Sequence, residues 1–421
     1  MSMADSARHG GVVRKANAVR SADSTTASAR SNSSKNTPFI SFALLPAFGH
    51  VYPVMPLVEA TQAAGARVQV AVGRPFNENL PMSTVLGTDV DPAAMSVPDL
   101  TREKFPAVVD DMPTRWVPAY FGVMHALPTV TALRRAWRAD RPDLVVYDPA
   151  NPGAAVVADE LGIPAVLFSV FHYFPPMLNL PAVTRRALDH PEVAPWEPVA
   201  DLTYRNPYVD PVPAALQQGP IADYPEVIPI RTVPWENRAT DLGAVPSRRS
   251  GRPLIYLTLG TVVGTAALLR GLILEAAEVG DVIASTGPGV ERSELAGLPG
   301  NVILREFVPT RAVMSVADLV VHHGGMGTTL AAAAHGIPQL IVPQVGDQFA
   351  NAQAVARAGI GQALIGPRAD GAVSAALTTL QDDDYTREAA RSVARSIAAT
   401  PGPDRVADLL ISRAARGLHG S

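Results

Sequence analysis

The residues His322-His323-Gly324-Gly325-Met326-Gly327-Thr328-Thr329 stand between an apolar run, Ala317–Val321 (ADLVV), and an alanine-rich run, Thr328–His335, that Gly336 closes. A short apolar strand, a glycine turn and a helix in that order make a strand-to-helix unit of the kind that builds parallel sheets. Glycine at the junction lets the backbone approach a ligand closely. The N–H groups of the helix's first turn then face whatever anion sits there. His323 and the Thr328 hydroxyl add donors at the same turn, a set suited to a diphosphate.

The same alternation runs along the chain. Phe39–Ala47, Arg67–Gly73, Asp143–Asp148 and Ala165–Val170 read as buried strands with helical stretches between them. Leu254–Gly260, Val282–Ser285, Val302–Arg305, 317–321 and Leu340–Pro343 restart the pattern, with a helix over Ala266–Val279. Such strands imply parallel sheets covered on both faces. A proline-rich, irregular stretch of about 207–252 separates the two series. The expected fold is α/β, two Rossmann-like domains facing an interdomain cleft. The first spans 37–238, a linker covers 239–252, and the second spans 253–421, its C-terminal helix free to return to the first domain. Ligands in such sheets sit at the carboxyl ends of the strands.

Composition removes several classes of function. A net charge of −4 with 18 % charged residues leaves no polybasic surface for nucleic acid or an anionic membrane. Hydrophobic residues make up 47 % of the 421, enough for two large cores, yet no apolar run reaches the ~18 residues of a membrane span. Cysteine is absent, which excludes disulfides, thiolate metal sites and cysteine nucleophiles together. Residues 1–36, rich in Ser, Ala, Arg and Asn, lack the apolar core of a secretory signal and are expected to be a disordered tail. A cytoplasmic enzyme is the simplest reading.

His50 lies in Pro46-Ala47-Phe48-Gly49-His50-Val51-Tyr52-Pro53, expected as a loop at the first strand-to-helix turn, with Pro53 starting the helix. Its intrinsic pKa suits removal of a proton from a hydroxyl near neutral pH, a service worth about 10²–10⁴ in rate. A loop histidine that caps the helix is the alternative. A carboxylate that orients such a base should end a strand of the same sheet, and Asp148 ends LVVYD. Asn151 and Pro152 already supply a helix cap and first position, so Asp148 is not needed for that purpose.

His323-Gly-Gly-Met-Gly-Thr328, Gly336-Ile-Pro338, Pro343-Gln-Val-Gly-Asp347-Gln348 and Asn351-Ala together resemble the donor-site signature of family 1 glycosyltransferases. More narrowly they resemble the bacterial branch that decorates antibiotics and other natural products. The likeness spans roughly 38–415 and is strongest over 305–361. It implies the GT-B fold, with an acceptor-binding first domain and a nucleotide-sugar-binding second one. It implies an inverting, metal-independent transfer with His50 as general base and Asp148 as its partner. His323, the Gly325 and Gly327 region, Thr328 and Thr261 would hold the diphosphate, Phe307 and Val308 the nucleobase, and Asp347 with Gln348 the donor sugar. Asp347 also reads as a helix N-terminal carboxylate, and both roles can hold together. Trp116, Tyr120, Phe121, Phe171, His172, Tyr173 and Phe174 fall where the family binds its acceptor; each one alone reads equally as core.

Plant relatives that use UDP-sugars carry a ribose-binding glutamate where this chain has Ala331, so the resemblance favours a TDP-activated deoxysugar. The expected partners are a nucleotide sugar and a hydrophobic small-molecule aglycone, with no cofactor beyond the co-substrate and a homodimer left open. A UDP-glucose-dependent transferase acting on a xenobiotic, and a non-catalytic nucleotide-sugar-binding activator, are the alternatives. Asp382-Asp383-Asp384 imitates an Asp-x-Asp metal motif, but it precedes the helical run Tyr385–Ala399 and is read as structural.

Overall fold

A computed structural model describes residues 37–74, 76–81, 85–87, 118–174, 205–219, 221–236, 251–260 and 265–418. The expected tail 1–36, most of the expected linker 239–252, and Trp116 and Thr261 lie outside the described residues.

The first half carries β1 (Phe39–Ala43), α1 (Phe48–Val51), α2 (Met55–Ala63), β2 (Arg67–Val72), α3 (Phe76–Asn79) and β3 (Val85–Gly87). A π-helical segment, Pro118–His125, leads into α4 (Ala126–Ala139). Then come β4 (Leu144–Tyr147), α5 (Pro152–Glu160), β5 (Ala165–Phe168), β6 (Tyr208–Asp210) and β7 (Val227–Pro229). All seven strands are parallel, in the order β3-β2-β1-β4-β5-β6-β7. The second half carries β8 (Leu254–Thr258), α6 (Ala266–Val279), β9 (Asp281–Ser285), β10 (Val302–Arg305), α7 (Thr310–Met314), β11 (Leu319–His322) and α8 (Met326–Ala334). It continues with β12 (Gln339–Ile341), α9 (Gln348–Arg357), β13 (Gly361–Ala363), α10 (Ala372–Asp382), α11 (Asp384–Ala399) and α12 (Pro403–Leu418). Its sheet is again all parallel, β10-β9-β8-β11-β12-β13. Both orders reverse direction beside the first strand of their half. That leaves a crevice at the carboxyl ends of β1 and β4, and of β8 and β11, where ligands collect in such sheets.

The strands form where the sequence is predominantly apolar: every residue of β1, β4, β8 and β11 is buried, as helices on both faces require. Two sequence expectations need correcting. The stretch 207–252 is not uniformly irregular, since β6 and β7 within it complete the first sheet. His50 lies in the short helix α1 rather than in a loop; Pro53 precedes the next helix, where Pro56 takes an early position.

Two segments tie the halves together. After β6, Val212 and Leu216 pack with Met326, Leu330 and Val355 of the second half. At the other end α12 crosses back, and Val406, Ala407, Leu410 and Ala414 join the core formed by Ile40, Val54, Leu57 and Val58.

Candidate active site

The hydrogen bond donated by the N–H of Asp148 to Ala43 C=O holds the end of β4 beside that of β1. Asp148 is fully buried, and its Oδ1 accepts the N–H of Ala150 at 2.8 Å while Oδ2 faces the N–H of Leu45 at 3.4 Å. Oδ2 also accepts the Nδ1–H of His50 at 2.6 Å. An imidazole that donates through Nδ1 has its lone pair on Nε2, the arrangement of a base steadied by a carboxylate. The His50 side chain keeps 20 % of its surface exposed. A Cβ added to the neighbouring Gly49 would meet nothing within 4 Å among the described residues other than its own chain neighbours, so the backbone before His50 is uncrowded. Burial pushes the His50 pKa down, but the charge and hydrogen bond of Asp148 outweigh it, with Asp347 adding to them, and the result is raised above 6.5. Asn151 does not cap α5 through its side chain; its amide donates to Leu44 C=O instead, at 3.4 Å.

At the opposite crevice, α8 begins at Met326, two residues before the expected Thr328, with Gly325 at its N-cap. The first bond across this turn runs from Thr329 N–H to Gly325 C=O, so the N–H groups of 326–328 point out of the helix end. The ring of His323 is wedged between two glycines: a Cβ at Gly260 would lie 2.6 Å from its Cε1, and one at Gly325 2.4 Å from its Nε2. Gly260 also holds φ +75°, a second reason for glycine there. Burial, opposed in part by the Thr258 backbone, lowers the His323 pKa to about 4, so the imidazole is neutral near pH 7. His322 points the other way, as alternation requires. It is fully buried, donates Nε2–H to Gln339 Oε1 at 2.9 Å and accepts the N–H of Gly324 on Nδ1 at 3.1 Å. Its task is to pin the glycine turn.

Asp347 and Gln348 open α9. Asn351 amide N–H groups reach Gly324 C=O at 2.7 Å and Asp347 Oδ2 at 3.3 Å, so Asn351 locks the carboxylate to the glycine turn. Sequence reasoning quoted Asn351 only as part of a motif. Gln348 spends its amide oxygen on the N–H groups of Gln344 and Val345, which ties the start of α9 to the loop after β12. Asp347 has an exposed side chain, yet the protein surrounding it raises its pKa, while His50 pulls the other way. The two carboxylates and the imidazole thus share one electrostatic neighbourhood although they come from different halves.

The remaining expected residues fall into less direct places. Val308 is buried with Val313 and Met314, so its side chain serves the core and any nucleobase contact falls to its backbone. Phe307 and Thr328 are half-buried, and Gly327 is exposed. Phe171 packs at the edge of the first core. His172 is buried beside Asn351, with its pKa lowered to about 4 chiefly by burial. Phe121 lies edge-on to Tyr120, and both flank His125, a residue no sequence pattern singled out. Asp383 caps α11, accepting Tyr385 N–H at 2.9 Å and Thr386 Oγ–H at 2.6 Å, as the structural reading of that acidic run expected.

Comparison with known proteins fits this geometry. Residues 270–412 match the family model described as erythromycin biosynthesis protein CIII-like, C-terminal domain. The chain is 31 % identical to L-demethylnoviosyl transferase of Streptomyces niveus, over 86 % of this chain and 95 % of the relative. It is 30 % identical to elloramycin glycosyltransferase ElmGT of Streptomyces olivaceus, over 86 % and 94 %. Among solved structures, the calicheamicin glycosyltransferase CalG4 superposes with a TM-score of 0.72 at 21 % identity, covering 90 % of this chain and 99 % of that one. Glycosyltransferase SsfS6 of Streptomyces sp. SF2575, solved with thymidine diphosphate, gives 0.68 at 24 %, covering 89 % and 100 %. The fold is GT-B. The chain belongs to the family of antibiotic and natural-product glycosyltransferases, and it is a glycosyl-transferring enzyme. No helix among the described residues is long and apolar enough to cross a membrane.

Proposed function

We propose that this enzyme moves a deoxysugar from a TDP-sugar to a hydroxyl of a hydrophobic natural-product aglycone, with inversion at the anomeric carbon. The observation that carries the reading is the 2.6 Å contact between His50 Nδ1 and Asp148, with Asp347 of the second half close enough to raise the His50 pKa further. Nε2 of His50 takes the proton of the acceptor hydroxyl, and the oxygen attacks the anomeric carbon. The bond from that carbon to the β-phosphate oxygen breaks, and TDP departs toward His323, Thr328 and the N-terminus of α8. Donors fixed on the departing charge contribute about 3–4 kcal/mol each in such sites. Asp347 and Gln348 hold sugar hydroxyls, and Phe307 with the Val308 backbone holds the base. In this reading, residues 37–238 serve the acceptor and 253–421 the donor.

Several facts support the choice of donor. Relatives bear names of deoxysugar transferases, among them demethylnoviosyl and mycarosyl transferases. SsfS6 and VinC, two of the structural neighbours, hold thymidine diphosphate. Ala331 is buried against an apolar cluster and supplies no carboxylate to a ribose 2′-hydroxyl.

Calorimetry with TDP and UDP on the purified chain tests the donor, and tighter TDP binding is expected. Preference for UDP would turn the reading toward a glucosyltransferase that modifies a xenobiotic. His50→Ala should reduce turnover by about 10²–10⁴ with TDP affinity unchanged. Undiminished turnover in that variant removes the base assignment.

A further inference from the structure

His125 ends the π-helical segment Pro118–His125, immediately before α4. It is 2 % exposed, and neither ring nitrogen has a hydrogen-bond partner among the described residues. An imidazole has at least one N–H and one lone pair to satisfy, and leaving such a group unpaired in a protein interior is expensive. Its surroundings are aromatic: Tyr120 stands edge-on with ring centroids 4.8 Å apart, and Phe121 lies nearly parallel at 6.2 Å. The π-helix is a rare conformation that recurs at functional sites.

The placement of this turn is fixed by close packing on α5. A Cβ at Gly153 would come within 2.7 Å of the carbonyl oxygen of Ala126, so the backbone next to His125 rests directly on the first turn of the helix that follows Asp148. Thr129 Oγ–H donates to the His125 carbonyl at 2.9 Å one turn along the same helix. His125 also senses the charges of both His50 and Asp148, and burial holds its pKa at about 4. It is therefore neutral wherever His50 can act as a base, and it offers both a donor and an acceptor without adding charge beside the dyad.

We propose that His125 is an acceptor-orienting residue: from the floor of the acceptor site, behind Tyr120 and Phe121, its imidazole hydrogen-bonds an oxygen of the acceptor adjacent to the hydroxyl that is attacked. The preferred acceptors are then aromatic or polycyclic molecules with two neighbouring oxygen functions, one for His50 and one for His125. Tyr120 and Phe121 shift to admit the ring. This rests on the assignment of His50 as the base, and binding rather than turnover is the measurement that separates the two.

The probes are 2,3-dihydroxynaphthalene, with two adjacent oxygens, and 2-naphthol, with one, titrated calorimetrically into the TDP-saturated enzyme. The unaltered protein should bind the first about 10-fold more tightly or better, the discrimination expected when a buried polar group is left unpaired by the poorer ligand. His125→Phe keeps the ring and removes both nitrogens, and should abolish the preference while leaving TDP affinity unchanged. Should that variant fold poorly, His125→Gln, which retains a donor and an acceptor, should keep part of the preference. His50→Ala should retain discrimination while losing turnover; full turnover there would sink the base and leave the His125 result standing. Equal affinity for the two probes in the unaltered protein, or a preference that persists in His125→Phe, overturns the proposal and makes His125 a packing residue only.

Discussion

At the scale of single residues, the proposed dyad predicts a pH profile. A base is active when neutral, so kcat/KM should rise with pH through the His50 pKa, and that acidic limb should lie above 6.5 because Asp148 holds the proton on the ring. Asp148→Asn removes the charge while preserving the shape. It should move the limb downward and reduce kcat by about 10²–10⁴, since the wrong imidazole tautomer becomes favoured. A limb left where it was would mean that Asp148 does not govern His50. The pairing was legible in the sequence because Asp148 directly follows one strand of the sheet and His50 lies in the turn that leaves its neighbour, and the strands themselves are readable from apolar runs. His125 was not legible. Its Pro118–Thr129 context, PAYFGVMHALPT, gives no periodic signal, and its importance arises from a π-turn and from contacts with α5 that only tertiary packing creates. Asn351 was visible as a motif letter, but its bonds to Gly324 and Asp347 depend on how α9 meets the turn after β11.

At the scale of elements, length decided what could be read. The expected Ala266–Val279 helix matches α6 residue for residue, and β1, β4, β8 and β11 stood out as predominantly apolar runs. The missed strands β3, β6, β7 and β13 have three residues each. Three residues cannot display a period of two, and such strands exist because a neighbour's edge presents its register, as β5 does for β6. The acidic run 382–384 shows the converse, a motif whose local role is complete. Both carboxylate oxygens of Asp383 are engaged at the start of α11, and Asp384 pairs with Arg387 at 2.5 Å. Asp383→Ala should therefore lower the thermal midpoint by a few degrees through loss of the cap, with kcat and TDP affinity unaltered. A loss of turnover at unchanged stability would return this run to the list of functional groups.

At the scale of the whole molecule, the histidines set an acid limit. His125, His172 and His323 are held near pKa 4 and His322 near 3, all chiefly by burial, against 6.5 when solvated. Below about pH 6.5 the unfolded chain binds protons that the folded chain refuses, so this contribution to stability is complete above 6.5 and shrinks as the pH falls toward 4. Asp210 opposes the trend. Burial, partly offset by hydrogen bonds from Val212 and Gln217, lifts its carboxyl to about 6, and a raised carboxyl favours the folded state on the acid side; the raised His50 acts in the same sense. The four large downward displacements outweigh these two and the raised Asp347 carboxyl. The urea midpoint should thus fall markedly between pH 7.5 and pH 5. His125→Phe, which removes one of the four, should weaken that dependence; a midpoint independent of pH would mean that the imidazoles gain solvent in the folded state. The proposed base also needs pH above its own raised pKa, so stability and catalysis both confine the enzyme to the neutral and alkaline side. The causes differ: burial keeps His125 and His323 uncharged and makes the folded chain intolerant of acid, whereas the Asp148 carboxylate sets the acidic limb of the proposed base.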